Sequence, residues 1–201
     1  MVKFSVCPSG VTDKKVLKAM LSVPRHLFVP RGYKQKAYLD IALPIGENQT
    51  ISQPSLVGLI AQLLHLRGSE KILEVGTGSG YQAAILGLLA KQVYSIEIIE
   101  FLYKRARRII KRLKYKNIHL YQGNGCLGLP EYEPFEAIVV SASCRVIPLP
   151  LIAQLANGGR IIAPVGGGPE EQRLIMAIKK HHKLIRKDFG AVRFVPLAEN
   201  K

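Results

Sequence analysis

The sequence predicts an α/β fold on a mostly parallel sheet, and three observations carry that expectation. From about Lys71 onward short apolar runs alternate with helical patterns, the sign of parallel strands joined by crossover helices. A glycine-rich turn stands directly after the first of those runs. In the last third strands follow one another without helices between them, which implies antiparallel strands at the C-terminal end of the sheet.

Each element follows from local pattern. Residues 1–70 read as helical and irregular, with Pro24, Pro30, Pro44 and Pro54 as breakers. They hold too little periodic sequence for a core of their own, so they are expected to cap the sheet edge. Lys71-Ile72-Leu73-Glu74-Val75 reads as the first strand, 81–90 as a buried crossover helix and 92–96 as the second strand. Next, Leu102, Ala106, Ile109, Ile110 and Leu113 recur at helical spacing, with Lys104, Arg105, Arg108, Lys111 and Arg112 on the opposite side. This is an amphipathic helix with a basic outer face. Residues 118–122 and 136–140 read as strands, 149–156 as a helix stopped by Asn157-Gly158-Gly159, and 160–165 as a strand. The strands expected at 172–179, 183–188 and 191–197 complete the sheet, with His181-His182 at a hairpin tip.

At 201 residues the chain fits one domain, 1–201, with 1–70 as an N-terminal helical cap and 71–201 as the sheet core. Such a length buries roughly 70% of the surface of the unfolded chain. Hydrophobic residues at 48% and charged residues at 21% mark a folded globular protein rather than a disordered one. Residues 1–10 carry no apolar run behind a basic start, and no segment approaches 18 uninterrupted apolar residues, so neither export nor membrane insertion is expected. Cys7, Cys126 and Cys144 are too scattered for a disulfide framework, which points to a cytoplasmic setting. The five histidines show no ligand spacing, so no metal site is expected. A net charge of +15 favours anionic partners without choosing among them.

The ligand signal lies in Glu74-Val75-Gly76-Thr77-Gly78-Ser79-Gly80, where a strand turns into a helix and glycines permit a tight turn and close approach of backbone to ligand. The spacing is G-x-G-x-G with an acid two places before it. Dinucleotide enzymes use G-x-G-x-x-G to bring a pyrophosphate to the helix N-terminus. Glu97 closes the second strand 23 residues after Glu74, where a carboxylate can accept bonds from both hydroxyls of a ribose. Together these features read as recognition of an adenosine without a pyrophosphate.

Beyond that turn, Val23-Pro24-Arg25-His26-Leu27-Phe28-Val29-Pro30, Ala37-Tyr38-Leu39-Asp40, Leu43-Pro44-Ile45-Gly46 and Gln49-Thr50-Ile51-Ser52 resemble the N-terminal signature of the protein-L-isoaspartate (D-aspartate) O-methyltransferases. The likeness continues through Gly76 to Gln82, Gly123 to Gly125, Ile147-Pro148, Gly158-Gly159, Pro164-Val165-Gly166 and Phe194-Val195-Pro196-Leu197. The resemblance implies a class I, Rossmann-like methyltransferase fold and S-adenosyl-L-methionine as cofactor. It implies methyl transfer to L-isoaspartyl, and by extension D-aspartyl, carboxylates of damaged proteins and peptides. It also implies Ser52 as the active-site serine, against the alternative that Ser52 is simply the N-cap of the helix beginning near Pro54. Cofactor contacts are expected from Gln49, Thr50, Ile51, Ser55, Glu74, Gly76, Thr77, Gly78, Ser79, Gly80, Glu97, Ile98, Asn124 and Gly125. The chain departs from the family at Ser55, where histidine is usual, at Asn124, where aspartate is usual, and at Arg145, where proline is typical.

Two rival readings are a nucleic-acid (RNA) methyltransferase, suggested by the charge and the basic helix, and a catalytically weak cofactor-binding paralogue, suggested by the three departures. The first is not favoured, because Val140-Ser141-Ala142-Ser143 has nothing like the Asn/Asp-Pro-Pro-aromatic motif of enzymes that methylate base amines.

Overall fold

The computed structural model describes residues 1–168, 170–181 and 183–198. After a wide helical turn at Val2–Val6, helix α1 (Lys14–Ser22) starts where the Asp13 side chain accepts bonds from Lys15 N and Val16 N, which satisfies two of the free donors of its first turn. A two-stranded hairpin follows, β1 (Leu43–Gly46) and β2 (Gln49–Ile51), and then α2 (Pro54–Leu63), opened by a proline whose missing N–H costs nothing at that position. The main sheet then begins with β3 (Lys71–Val75), α3 (Tyr81–Gly87), β4 (Gln92–Glu97), α4 (Glu100–Arg112), β5 (Ile118–Gln122) and β6 (Phe135–Val140). It ends with α5 (Leu149–Ala153), β7 (Leu155–Val165), β8 (Arg173–Lys180) and β9 (Lys183–Ala191).

The seven strands lie in the order β5-β4-β3-β6-β7-β8-β9. Strands β3 to β7 are parallel, while β8 and β9 run antiparallel, as the helix-free C-terminal third implied. The order reverses between β3 and β6, and a parallel sheet opens a crevice beyond the carboxyl ends of its strands at such a point. Side chains alternate across the sheet. Ile72, Val93, Ala137, Val139 and Ile162 join the core beneath α1 to α4, while Leu73, Val75, Ile96, Ile138, Val140 and Ile161 pack on the other face with Leu151 of α5.

Four expectations are corrected. The first seventy residues pack on one face of the sheet rather than along its edge: Met20, Val57 and Ile60 share a cluster with Val139, Ile162 and Leu174. The helix expected over 149–156 ends at Ala153, because Leu155 already pairs with Phe135. Gly158, at φ 78°, lies within β7, where the pairing register shifts. The strand expected over 191–197 does not form: β9 ends at Ala191, and beyond it an isolated bridge joins Pro196 to Ser143, where proline brings no N–H to a ladder. Arg105, expected on a solvated face, instead donates to the carbonyls of Ile45 (2.9 Å) and Phe28 (3.2 Å), tying α4 to the N-terminal segment. His181, at φ 52°, lies in the β8–β9 turn as expected, and His182 lies outside the described residues.

Candidate active site

The crevice at the strand reversal is an open cleft lined from the carboxyl ends of β3 and β4. One wall is the turn after β3. Gly76 and Gly80 sit at φ 88° and 84°, conformations that a side chain resists. A Cβ on Gly80 would lie 3.3 Å from that of Ala106, so the turn also lets α3 and α4 pack closely. Gly76 N and Thr77 N both donate to the Ile96 carbonyl, at 2.9 and 3.3 Å, which fixes the turn against β4.

Two buried carboxylates stand behind this turn. Glu74, Ser95 and Glu97 project from the same face, Glu74 and Ser95 being direct neighbours across β3 and β4. Glu97 is held by backbone: Oε2 accepts from Gly78 N (2.7 Å) and Oε1 from Ile99 N (2.9 Å). Each oxygen of a carboxylate has two acceptor sites, so each retains one for a ligand hydroxyl. Glu74 is fully buried; Oε2 accepts from Ser95 Oγ at 2.5 Å, and Oε1 has no partner. Burial pushes its carboxyl up to about 8, opposed by the bond from Ser95 and assisted by the nearby charge of Glu97.

The facing wall is built from residues 49–52, Ser141 and 195–198. Ser52 lines it, and the N-cap of α2 is Gln53, so the Ser52 hydroxyl is not spent on capping that helix. The Ser52 carbonyl accepts from Arg25 Nη2 at 2.7 Å, while Arg25 Nε donates to the Ala37 carbonyl at 2.8 Å. Arg25 has no exposed surface, and its guanidinium lies 4.7 Å from the centre of the Tyr81 ring. Burial lowers its pKa to about 10, so it remains a cation at neutral pH. A buried cation therefore ties Ser52 to the first residue of α3.

Of the residues expected from the sequence, Gln49, Thr50, Ile51, Ser52, Glu74, Gly76, Thr77, Gly78, Ser79, Glu97, Ile98 and Gly125 line the cleft together. Three do not. Ser55 is buried in the first turn of α2, its N–H donating to Asp40 Oδ1 at 2.8 Å. Gly80 turns toward α4. Asn124 Oδ1 accepts from Cys126 N at 2.9 Å and caps a short helical turn. Sequence reasoning missed Ser95, Gln82 and Arg25. Strand alternation could have revealed Ser95, which faces the same way as Glu74. Arg25 stands inside the N-terminal signature, but nothing local marks an arginine for burial. Among the described residues no group of histidines, cysteines and acids could hold a metal ion, and no helix is long and apolar enough to cross a membrane.

Residues 6–201 match the family model for Protein-L-isoaspartate(D-aspartate) O-methyltransferase (PCMT). The protein-L-isoaspartate O-methyltransferase of Dictyoglomus turgidum is 50% identical over 188 residues, 94% of this chain and 85% of that protein. The enzyme of the same name from Gloeobacter violaceus is 45% identical over 201 residues, 100% of this chain and 98% of that one. A solved protein-L-isoaspartate O-methyltransferase superposes with a TM-score of 0.90 at 29% identity, over 99% of this chain and 65% of that longer chain. A Plasmodium falciparum structure assigned to the same family, in complex with S-adenosyl-L-homocysteine, superposes with a TM-score of 0.84 at 25% identity, over 99% of this chain and 97% of that one.

Proposed function

The chain belongs to the protein-L-isoaspartate (D-aspartate) O-methyltransferase family, and from that premise we propose how its own residues do the work. It is an S-adenosylmethionine-dependent methyltransferase with the class I fold, acting on isoaspartyl residues of damaged proteins and so initiating their repair. The observation that carries the assignment of roles is the pair of buried carboxylates facing Ser52 across one cleft.

The cleft fits the cofactor on chemical grounds. The unpartnered Oε1 of Glu74 is a buried acceptor that suits an ammonium, and the two free acceptor sites of Glu97 suit the paired hydroxyls of a ribose. Gly76, Thr77, Gly78 and Ser79 would follow its length, with Gln49, Thr50, Ile51, Ile98 and Gly125 closing round it. When bound, S-adenosylmethionine supplies a methyl group already activated as a sulfonium. The acceptor carboxylate, with a pKa near 4, is already an anion at neutral pH, so the protein needs no general base. Its task is to hold one carboxylate oxygen in line with the methyl and to exclude water, which positioning alone can reward with about 7 kcal/mol. Ser52 donates its hydroxyl to the other carboxylate oxygen, and Arg25 holds the Ser52 backbone in place.

The chain acts as one methyltransferase domain, supported by the hydrophobic cluster that joins residues from both sides of Lys71. A cytoplasmic setting is supported by cysteines too few and too scattered for a disulfide framework. Protein rather than nucleic acid is the favoured acceptor, since the segment after β6 offers serine and alanine where a base would need a stacking partner.

Labelled methyl transfer to an isoaspartyl peptide, run beside its normal aspartyl twin, tests the assignment. Transfer confined to the isoaspartyl peptide is expected, and Ser52→Ala should lower kcat/KM by about 10- to 100-fold through one lost orienting bond while leaving cofactor affinity intact. Equal transfer to both peptides would refute the assignment.

A further inference from the structure

We propose that Arg193 binds the carboxylate of the acceptor and holds the anion against Ser52 until methylation removes its charge. This specifies the acceptor subsite and rests on the isoaspartyl reading given above.

A second, smaller cavity adjoins the cofactor cleft. Thr50, Ser52, Ser141 and Val195 line both, so whatever fills the smaller cavity lies next to the cofactor. The remaining lining is neutral except for Arg193. An overall charge of +15 draws anions to the whole surface, but only a cation placed at the cavity can select one there.

The backbone beneath Arg193 is unusually well fixed for a segment outside any strand. Val192 N donates to the Gln172 carbonyl at 3.0 Å. Phe194 N donates to Gln172 Oε1 at 2.6 Å, and Gln172 Nε2 donates to the Phe194 carbonyl at 3.1 Å. Gln172 is itself buried, so it clamps the chain on both sides of Arg193 and fixes where that side chain departs. The guanidinium is paired with Glu170, at relative exposures of 73% and 83%. An ion pair so open to water is worth little and exchanges readily for a better-shielded carboxylate. Arginine presents its donors as a planar fork that can hold a carboxylate through two bonds.

The chemistry sets how this contact is felt. A lone pair on the acceptor oxygen forms the new O–C bond while the S–C bond breaks and leaves its electrons on sulfur. The sulfonium cation and the carboxylate anion both become neutral, and no proton moves. Charge on the carboxylate is therefore smaller in the transition state than in the bound acceptor, so Arg193 favours binding over turnover. The neutral ester no longer attracts it, which aids product release.

The test uses the full chain and an isoaspartyl peptide, with peptide binding followed by fluorescence anisotropy in the presence of S-adenosylhomocysteine and steady-state kinetics alongside. Arg193→Gln is expected to raise both peptide Kd and KM about tenfold, with kcat moving less than about threefold. Arg193→Lys should recover part of the loss, and Glu170→Gln should lower KM about twofold by freeing the guanidinium. Peptide Kd and KM within about twofold of wild type in Arg193→Gln, or a loss confined to kcat, would overturn the proposal. Wild-type protein that binds the peptide through Arg193 but transfers no methyl group would instead refute the isoaspartyl reading and leave the anion subsite standing.

Discussion

The wall proposed for the cofactor comes largely from two neighbouring stretches, residues 74–79 and 96–99, whereas the wall proposed for the acceptor is assembled from residues 49–52, Ser141 and 195–198. The first wall is acidic, and its acids are gripped locally: Glu97 by Gly78 N and Ile99 N, Glu74 by its cross-strand neighbour Ser95. The second is neutral apart from Arg193 in the adjoining cavity, and distant side chains hold it, with Arg25 on the Ser52 carbonyl and Gln172 on both sides of Arg193. The difference teaches that a ligand common to many enzymes can be met by a local, self-supporting loop. A substrate particular to this chemistry requires surfaces that only the folded chain brings together.

Glu97→Ala should break the first wall most severely. It removes the ribose acceptor and leaves the N–H groups of Gly78 and Ile99 unpaired. At about 1.5–3 kcal/mol for each of two charge-assisted bonds, affinity for S-adenosylhomocysteine should fall about 100- to 10,000-fold by calorimetry. If peptide affinity fell as far, the two walls would not be independent.

Arg25→Met strikes the second wall. It leaves the carbonyls of Ala37 and Ser52 without their donor in a buried setting, and urea denaturation should register a loss of about 2–4 kcal/mol. Cofactor affinity, measured where the variant remains folded, should change far less than acceptor KM.

Glu74 offers a subtler probe through pH. Its carboxyl is raised by burial to about 8 in the folded protein and ionises near 4.3 when unfolded. Its contribution to stability is therefore fully present below about pH 4.3 and is lost as pH rises through about 8. Glu74→Gln should abolish that part of the pH dependence of unfolding, which is read by comparing melting curves of the two proteins across pH. An incoming ammonium needs the ionised form, so wild-type cofactor affinity should strengthen by up to about tenfold per pH unit toward pH 8. Calorimetry in buffers of different ionisation enthalpy should report proton release on binding.

The smallest effect is expected at Lys104→Ala on α4. Its pairing with Glu100 is i to i+4 between side chains that are 64% and 59% exposed, so stability should change by less than about 0.5 kcal/mol. Unchanged peptide KM would confine acceptor recognition to the two walls, and a raised KM would extend it onto the basic helix.

Residues 71–140 were legible because each strand and helix there carries its own period and the glycine turn punctuates them. Residues 154–159 read as the end of a helix because an asparagine followed by two glycines resembles a helix stop; pairing of Leu155 with Phe135 decides for a strand. Residues 191–197 look strand-like, yet Pro196 cannot enter a ladder and Gln172 captures the chain instead. Asn124 matched the family position by alignment of motifs, but its side chain turns back to cap Cys126 N, a choice that local geometry makes and a motif does not report.

What the sequence alone determined is the local chemistry. A strand ending in alternate glycines turns tightly into a helix, and cross-strand alternation sets the acids of neighbouring strands on one side, because backbone sterics and alternation act over a few residues. What only the tertiary structure decided is which distant groups meet. Arg25 lies buried under Ser52, Glu74 is left with one oxygen unpartnered, and Arg193 stands on the cavity beside that serine. Burial and charge placement depend on how faces pack across the whole chain, and no window of sequence contains that information.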